Sequence, residues 1–273
     1  MLAGEIQGNH PLRRHSHRKG PGVIRVLPGA GLLLGACAGR GGAYRPASRQ
    51  GGDILDLWRI LLAAGVAMGV LVLGLILWSV LRYRRPRHAG PGDLPVQTRA
   101  NVPLEVFYTV IPLVIVAGLF AVTLRTQHRV TRLSAVPGVS VEVTGFQWGW
   151  RFRYPAQSVT VTGDANRPPT LVLPVGADVR FRLATNDVIH SFFVPAFLVK
   201  RDLIPGIDNQ IEVHPTRLGS FRGFCAEFCG LDHWRMTFDV EVVTPQAFQA
   251  FVDGQQPVPG QQGPVPGNTG GLG

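Results

Sequence analysis

Twelve residues near the end of the chain gather an unusual set of donor atoms: Cys225-Ala226-Glu227-Phe228-Cys229-Gly230-Leu231-Asp232-His233-Trp234-Arg235-Met236. They supply two thiols, an imidazole and a thioether at spacings of four, four and three. Sulfur from Cys and Met and nitrogen from imidazole are all ligands that suit copper. The chain has three Cys and three Met, and those beyond residue 130 are Cys225, Cys229 and Met236, all inside this stretch. The same part of the chain holds three His: His190, His214 and His233. His190 lies in Asn186-Asp187-Val188-Ile189-His190-Ser191-Phe192, at an earlier strand end, and can join the loop. The pattern reads as a copper site. Two other chemistries fit the cysteines taken alone, a disulfide in an oxidising compartment and a tetrahedral zinc with two Cys and two His. The 35-position gap from His190 to Cys225 is not that of a standard finger, and a thioether is a copper ligand far more often than a zinc one. His214, followed by Pro215, reads as a structural or surface histidine.

Such a site needs elements to hold it and a place to work. Residues 1–100 hold 14 Lys and Arg against 4 Asp and Glu, while the remainder holds 13 against 13, so the net +10 sits entirely in the N-terminal part. There it flanks apolar runs, which is a membrane-orientation signal, and no basic-aromatic platform accompanies it; nucleic acid is excluded as a partner. Residues 1–36 read as a lipoprotein-type leader, with a basic head (Arg13, Arg14, Arg18, Lys19) and an apolar run from Val26 to Ala36. That run is too short for a span, which needs ~20 residues. Its end, Leu34-Gly35-Ala36-Cys37, resembles the bacterial lipoprotein cleavage box, which implies lipid on Cys37. Residues 37–53 form a linker. Ile60–Leu81 and Val106–Leu124 then run 22 and 19 residues without a charge, inside expected transmembrane helices at 54–82 and 103–126. The loop at 83–102 between them, with the helix-flanking Arg82 and Glu105, presents five Arg against Asp93 and Glu105, which places it in the cytoplasm. Both outer ends of the hairpin then face outward, on the side where a lipidated Cys37 belongs.

From residue 130 to 248 the texture changes to short alternating or β-branched runs such as Val139–Val143, Val159–Val161, Thr170–Leu173, Asp178–Leu183, Gln210–Val213 and Thr237–Val242. Gly, Pro and Asn-Asp breaks separate them. A stretch of this length buries one core, and the expected architecture is an antiparallel Greek-key barrel or sandwich. Residues 249–273, rich in Gly, Pro and Gln, read as a disordered tail.

A helical hairpin, then a β-domain, then Cys-x3-Cys-x3-His-x2-Met with an upstream His resembles subunit II of the haem–copper cytochrome c oxidases, in an actinobacterial form, over residues ~50–245. The resemblance is carried by Asn101–Pro112, Gln147-Trp148-Gly149-Trp150, His190–Pro195, Asp202–Gly206 and Cys225–Met236. It implies a membrane protein made of a two-helix transmembrane hairpin followed by an all-β cupredoxin-like Greek-key barrel. It also implies a binuclear copper A centre with two copper ions, bridged by Cys225 and Cys229. His190 and His233 would be the terminal imidazoles, Met236 the weak thioether, and Glu227 a ligand through its carbonyl. The Glu227 carboxylate would face a Mg²⁺ shared with subunit I. Trp148 matches the residue through which electrons come in from cytochrome c, and Glu105 a carboxylate near a proton path into subunit I. The implied partners are subunit I and the other oxidase subunits, membrane lipid, and cytochrome c or a cytochrome c domain of a respiratory supercomplex. The implied location is the bacterial cell membrane, multi-pass, with the C-terminal domain on the outer face. The implied activity is that of the electron-accepting subunit of a proton-translocating cytochrome-c oxidase.

One stretch departs from the pattern. Asp187 matches an acid used to meet a lysine-rich cytochrome, yet Arg151 and Arg153 stand where many members carry acids. Like charges hinder encounter, which favours a cytochrome domain held within a larger assembly as donor. Three other functions stay in contention: a membrane-anchored copper chaperone or thiol-disulfide protein, a quinol-oxidase subunit II, and a lipoprotein with structural zinc. The first predicts a thioredoxin βαβ pattern, which is not visible, and the second lacks the copper ligands found here.

Overall fold

The computed structural model describes residues 45–84, 90 and 99–254. The leader at 1–36, Cys37 and the rest of the linker up to residue 44, most of the connecting loop and the tail beyond residue 254 lie outside the described residues. The two uncharged runs lie within helices α1 (Arg49–Arg82) and α2 (Val102–Thr131), both long and apolar enough to cross a membrane. Helix α1 starts inside the expected linker because Ser48 caps it, its Oγ accepting from Gly51 N at 2.9 Å. Helix α2 continues past 126 to Thr131, and Arg129 in its added turn reaches Asp53 of α1 at 3.6 Å. Pro112 sits within α2 without ending it.

The β-domain follows as β1 (Val139–Phe146), β2 (Gly149–Tyr154), β3 (Val159–Asp164), β4 (Thr170–Pro174) and β5 (Val179–Thr185). Then come β6 (His190–Val194), β7 (Val199–Leu203), β8 (Asn209–Val213), β9 (Gly219–Cys225) and β10 (Thr237–Val243), with α3 (Pro245–Val252) last. Two five-stranded sheets result, in the orders β3-β2-β1-β5-β8 and β4-β10-β9-β6-β7. Inward and outward residues alternate along β1 and β10, so Val139, Val141, Val143, Phe238, Val240 and Val242 point between the sheets. Trp150, Phe152, Phe181, Phe192 and Phe238 fill the centre, with the Phe192 and Phe238 rings stacked 5.0 Å apart. This is the cupredoxin-like two-layer fold. Not every pair is antiparallel as expected: β1 with β5 and β4 with β10 run parallel. The chain passes to the other sheet between the members of each pair, which supplies the long crossover that a parallel pair requires.

The expected tail from 249 is helical through Val252. Phe248 and Phe251 are buried, and their rings lie 6.1 and 5.6 Å from that of Tyr154, whose hydroxyl donates to Val172 O at 2.9 Å.

Two seams join hairpin and sandwich. At the start of α1, Ala47 N donates to Ala196 O (2.7 Å), Ser48 Oγ to Phe197 O (2.9 Å) and Arg49 N to His214 O (3.0 Å), while Gln50 Oε1 accepts from His214 N (3.0 Å). Asp178 locks this seam, meeting Arg49 at 3.0 Å and His214 Nδ1 at 2.8 Å, so His214 is a structural histidine. Just after α2, Ser134 N and Oγ donate to the buried Glu212, and Arg180 joins the same carboxylate at 2.9 Å.

Candidate metal centre

Strand pairing brings the donors together. β6 and β10 flank β9 on either side, and the register sets Phe192 opposite Cys225 and Thr237 opposite Phe224. His190 at the head of β6, Cys225 at the end of β9 and Met236 just before β10 therefore converge at one end of three adjacent strands. The loop between β9 and β10 carries Cys229 and His233 over them. Its entrance is tied by Cys225 N donating to Met236 O (2.9 Å) and Ala226 N to Ser191 O (3.0 Å). Gly230 has φ +119°, and a Cβ there would meet the Trp148 ring at 3.1 Å, so the loop needs glycine at this point both for its backbone and for the indole beside it.

His190 Nδ1 lies 3.8 Å from Cys225 Sγ, Cys225 Sγ 3.8 Å from Cys229 Sγ, Cys229 Sγ 3.6 Å from His233 Nδ1 and 3.7 Å from Met236 Sδ. Glu227 O accepts from Cys225 Sγ at 3.2 Å. Both cysteines are free thiols, and one ligand atom each from His190, Cys225 and Cys229 lies within 4.8 Å of the others. The disulfide alternative is therefore not what this geometry holds: the sulfurs stand apart at a spacing a metal can bridge. The donor set is two thiols, two imidazole nitrogens facing them and one thioether, which is chemistry that fits copper. Burial opposes ionisation of Cys225, but the His190 hydrogen bond and the contacts from Glu227 and Ser191 outweigh it and lower the thiol to about 7. Burial pushes Cys229 up, reinforced by Cys225, to about 12. One thiol is thus poised to ionise, and the second waits for a cation to displace its proton.

The groups around the ligands were not all legible in the chain. His190 Nε2 meets Asp187 Oδ1 at 2.8 Å, which leaves Nδ1 for the sulfur side. Asp187 is fully engaged: Val188 N and Thr185 Oγ1 share its Oδ1, and Gln147 N donates to Oδ2 at 2.7 Å. The acid that resembles a cytochrome-facing charge is therefore turned onto the site itself. An Asp three residues before a candidate ligand was the available signal. Gln147 Nε2 and Trp148 Nε1 both donate to Cys229 O, at 2.8 and 3.2 Å, so the half-buried Trp148 touches the ligand loop directly. Trp150 is fully buried, donates to Met236 O at 3.3 Å and has its ring 6.4 Å from that of His190. The Glu227 carboxylate points outward to Lys200 Nζ at 3.4 Å, away from the sulfurs. Glu105 lies elsewhere, in the first turn of α2, where it accepts from Asn101 N at 3.2 Å. At 1.5 Å per residue that is about 40 Å of helix from the end joining the sandwich. Arg153 pairs with Glu142, whereas Arg151 stands exposed on β2.

Comparison with known proteins finds relatives along most of the chain. Residues 165–243 match the family model for the periplasmic domain of cytochrome c oxidase subunit II. The chain is 40% identical to the probable cytochrome c oxidase subunit 2 of Streptomyces avermitilis, over 87% of this chain and 86% of that one. It is 32% identical to cytochrome c oxidase subunit 2 of Mycobacterium tuberculosis, over 76% and 72% of the two chains. Among solved structures, the periplasmic domain of subunit II of Bradyrhizobium japonicum cytochrome oxidase is 31% identical, spans 45% of this chain and 96% of its own, and gives a TM-score of 0.41. With the actinobacterial relatives matched along most of their length, the chain belongs to the cytochrome c oxidase subunit II family.

Proposed function

We propose that this chain is the electron-accepting subunit of a cytochrome-c oxidase, holding a binuclear copper A centre on the outer face of a bacterial membrane. The observation that carries the reading is the cluster of five donors, His190 Nδ1, Cys225 Sγ, Cys229 Sγ, His233 Nδ1 and Met236 Sδ, linked by contacts of 3.6–3.8 Å at one end of β6, β9 and β10. Cys225, Cys229, His190, His233, Met236 and the Glu227 carbonyl would hold the copper pair. When bound, the copper pair supplies a one-electron relay between a cytochrome c donor and the haem of subunit I, where oxygen is reduced to water with proton translocation.

The chain's own residues set the conditions for that relay. Asp187 fixes the His190 ring so that Nδ1 faces the sulfurs. Trp150 and the β9–β10 pairing hold the ends of the loop against displacement, which keeps the donor positions alike before and after a change of charge. Burial of Cys225, Cys229 and Met236 excludes water from the sulfur side. Trp148 is the point of electron acceptance: its indole hangs on the Cys229 carbonyl and its remaining surface is open. The Glu227 carboxylate, which here meets Lys200 Nζ at 3.4 Å, would hold a Mg²⁺ shared with subunit I. Glu105, at the other end of the hairpin, lies at the mouth of a proton path. Uncharged spans and the Arg-rich loop support the hairpin topology, with a lipid-modified Cys37 as outer anchor. Arg151, exposed on β2 just after the turn that carries Trp148, supports a donor held as a cytochrome domain in a larger assembly.

Metal analysis and EPR of the assembled oxidase test the reading. Two coppers per chain of this subunit, intense visible thiolate bands and a multi-line signal are expected. One zinc, no metal, or a Cys225–Cys229 disulfide in the active complex overturns it.

A further inference from the structure

Along β1 the inward positions read Val139, Val141, Val143 and then Gly145, all of them buried. The alternation asks for a fourth large side chain at 145, and glycine in a strand interior costs stability. The backbone gives no reason for it. Gly145 is regularly paired on both sides, with Trp150 of β2 and Thr185 of β5, and it is not among the glycines with positive φ. The reason lies in front of it. A Cβ at this position would stand 3.2 Å from Cγ and 3.3 Å from Cβ of His190, and 3.2 Å from Cδ2 of Leu203. At that separation the neighbour has to give way by a few tenths of an ångström. The fully buried imidazole thus stands where a fourth valine would have been. Asp187 meets its Nε2 at 2.8 Å, the Trp150 ring lies 6.4 Å away, and Nδ1 is 3.8 Å from Cys225 Sγ.

We propose that Gly145 is a positioning residue for His190: the side chain it lacks is the space in which the ring stands, and this keeps Nδ1 aimed at the sulfurs. Asp187 restrains the ring through one hydrogen bond, which fixes its tautomer and its turn about the side-chain bonds. The bare backbone at Gly145 fixes how closely the ring lies against β1. A side chain there lifts the imidazole off the strand while the rest of β1 stays paired, so the disturbance falls on one ligand. Its bearing on metal binding rests on the copper reading above; the steric relation between Gly145 and His190 does not.

The test uses the full chain in detergent. Gly145→Ala should bind copper about tenfold more weakly in competition with a chelator, the low end for disturbing what orients a ligating histidine. It should also alter the hyperfine pattern of the EPR signal. Val143→Ala, one inward position back on the same strand, should lower the melting temperature and leave the signal unchanged, with copper affinity within about threefold of wild type. A metal-free cycle isolates the contact itself. Gly145→Ala should lower the melting temperature of a chain that keeps His190, and clearly less in a His190→Ala chain, where the ring is gone. Copper affinity of Gly145→Ala inside the threefold margin overturns the proposal. So does a Val143→Ala chain that loses copper as readily, or a melting penalty that is the same with and without the ring, which assigns the space to Leu203. Should Gly145→Ala not fold, recovery of a folded chain on adding His190→Ala supports the proposal and continued loss overturns it. A wild-type chain that binds no copper and still shows the coupling refutes the function proposed above and leaves the role of Gly145 standing.

Discussion

Asp187→Asn is the most informative single change. In the wild type the carboxylate accepts from His190 Nε2 at 2.8 Å, Gln147 N and Val188 N at 2.7 Å each, and Thr185 Oγ1 at 3.0 Å. Asparagine offers one oxygen and one NH2 group of nearly the same shape. If its oxygen stays with His190, its NH2 faces the Gln147 N–H, donor against donor; if it flips, the NH2 faces the imidazole N–H. Either way one charge-assisted bond is lost and one donor is orphaned, costing about 2 kcal/mol. Expressed in metal binding that is roughly 30-fold weaker copper affinity, inside the range for removing the partner of a ligating histidine. The assay is copper competition against a chelator on the full chain in detergent, with thermal unfolding of the metal-free form alongside. An affinity within threefold of wild type refutes the reasoning. A second outcome would revive the role suggested by family resemblance: unchanged copper affinity with a raised KM for a soluble cytochrome c and a weaker salt dependence would mean that Asp187 works as a docking charge.

Further expectations follow from the same contacts. Cys225→Ser or Cys229→Ser should abolish the binuclear EPR signal, and Met236→Leu should leave copper bound with an altered potential; a normal spectrum after either Cys change contradicts the ligand set. Glu212→Ala strands Arg180 and the Ser134 donors, and should lower stability by about 3 kcal/mol, the low end for a broken buried pair because Arg180 keeps some contact with water. Denaturant unfolding of the metal-free chain reads it. Gly223→Ala drives a Cβ into the Phe238 ring, which is stacked on Phe192, and overpacking there should cost about 3 kcal/mol on the same assay. Burial raises the Asp178 carboxyl, but the His214 hydrogen bond and Arg49 outweigh it and hold it below the usual carboxylate range. A depressed folded value means that its contribution is full above the unfolded value of about 4 and fades as pH falls further. Asp178→Asn should therefore destabilise at neutral pH and flatten the acid limb of a melting-temperature profile below about pH 4.

The parts legible in the chain were those whose pattern is local. Uncharged runs mark α1 and α2, and alternating β-branched residues mark β1, β5 and β10. The donor loop shows itself because all its soft ligands are neighbours in sequence. Strand β9 was hidden because Gly219 and Gly223 interrupt it; the second is there to admit the Phe238 ring, a reason that exists only once β10 lies alongside. The strand end expected at His190 is the start of β6, where buried His190 and Ser191 are satisfied by Asp187 and Asp202, partners that the local pattern does not show. The inward turn of Asp187 and the contact of Gln147 and Trp148 with Cys229 O join residues that are 40 and about 80 positions apart, beyond any local pattern. The seam at Ala47–Gln50 is the clearest case, since a stretch that reads as linker is held by hydrogen bonds to the turn at Ala196–Phe197 and the loop after β8, more than a hundred residues away.

That the sandwich is gripped at both feet of the hairpin removes the swivel that a single tether would leave. Helices adjust to bilayer thickness by tilting. With Ser48 and Glu212 both fastened, such a tilt passes into the sandwich as a rigid rotation and is not absorbed at a hinge. The same lever that steadies the donor cluster therefore makes its height and tilt answer to the mechanics of the membrane.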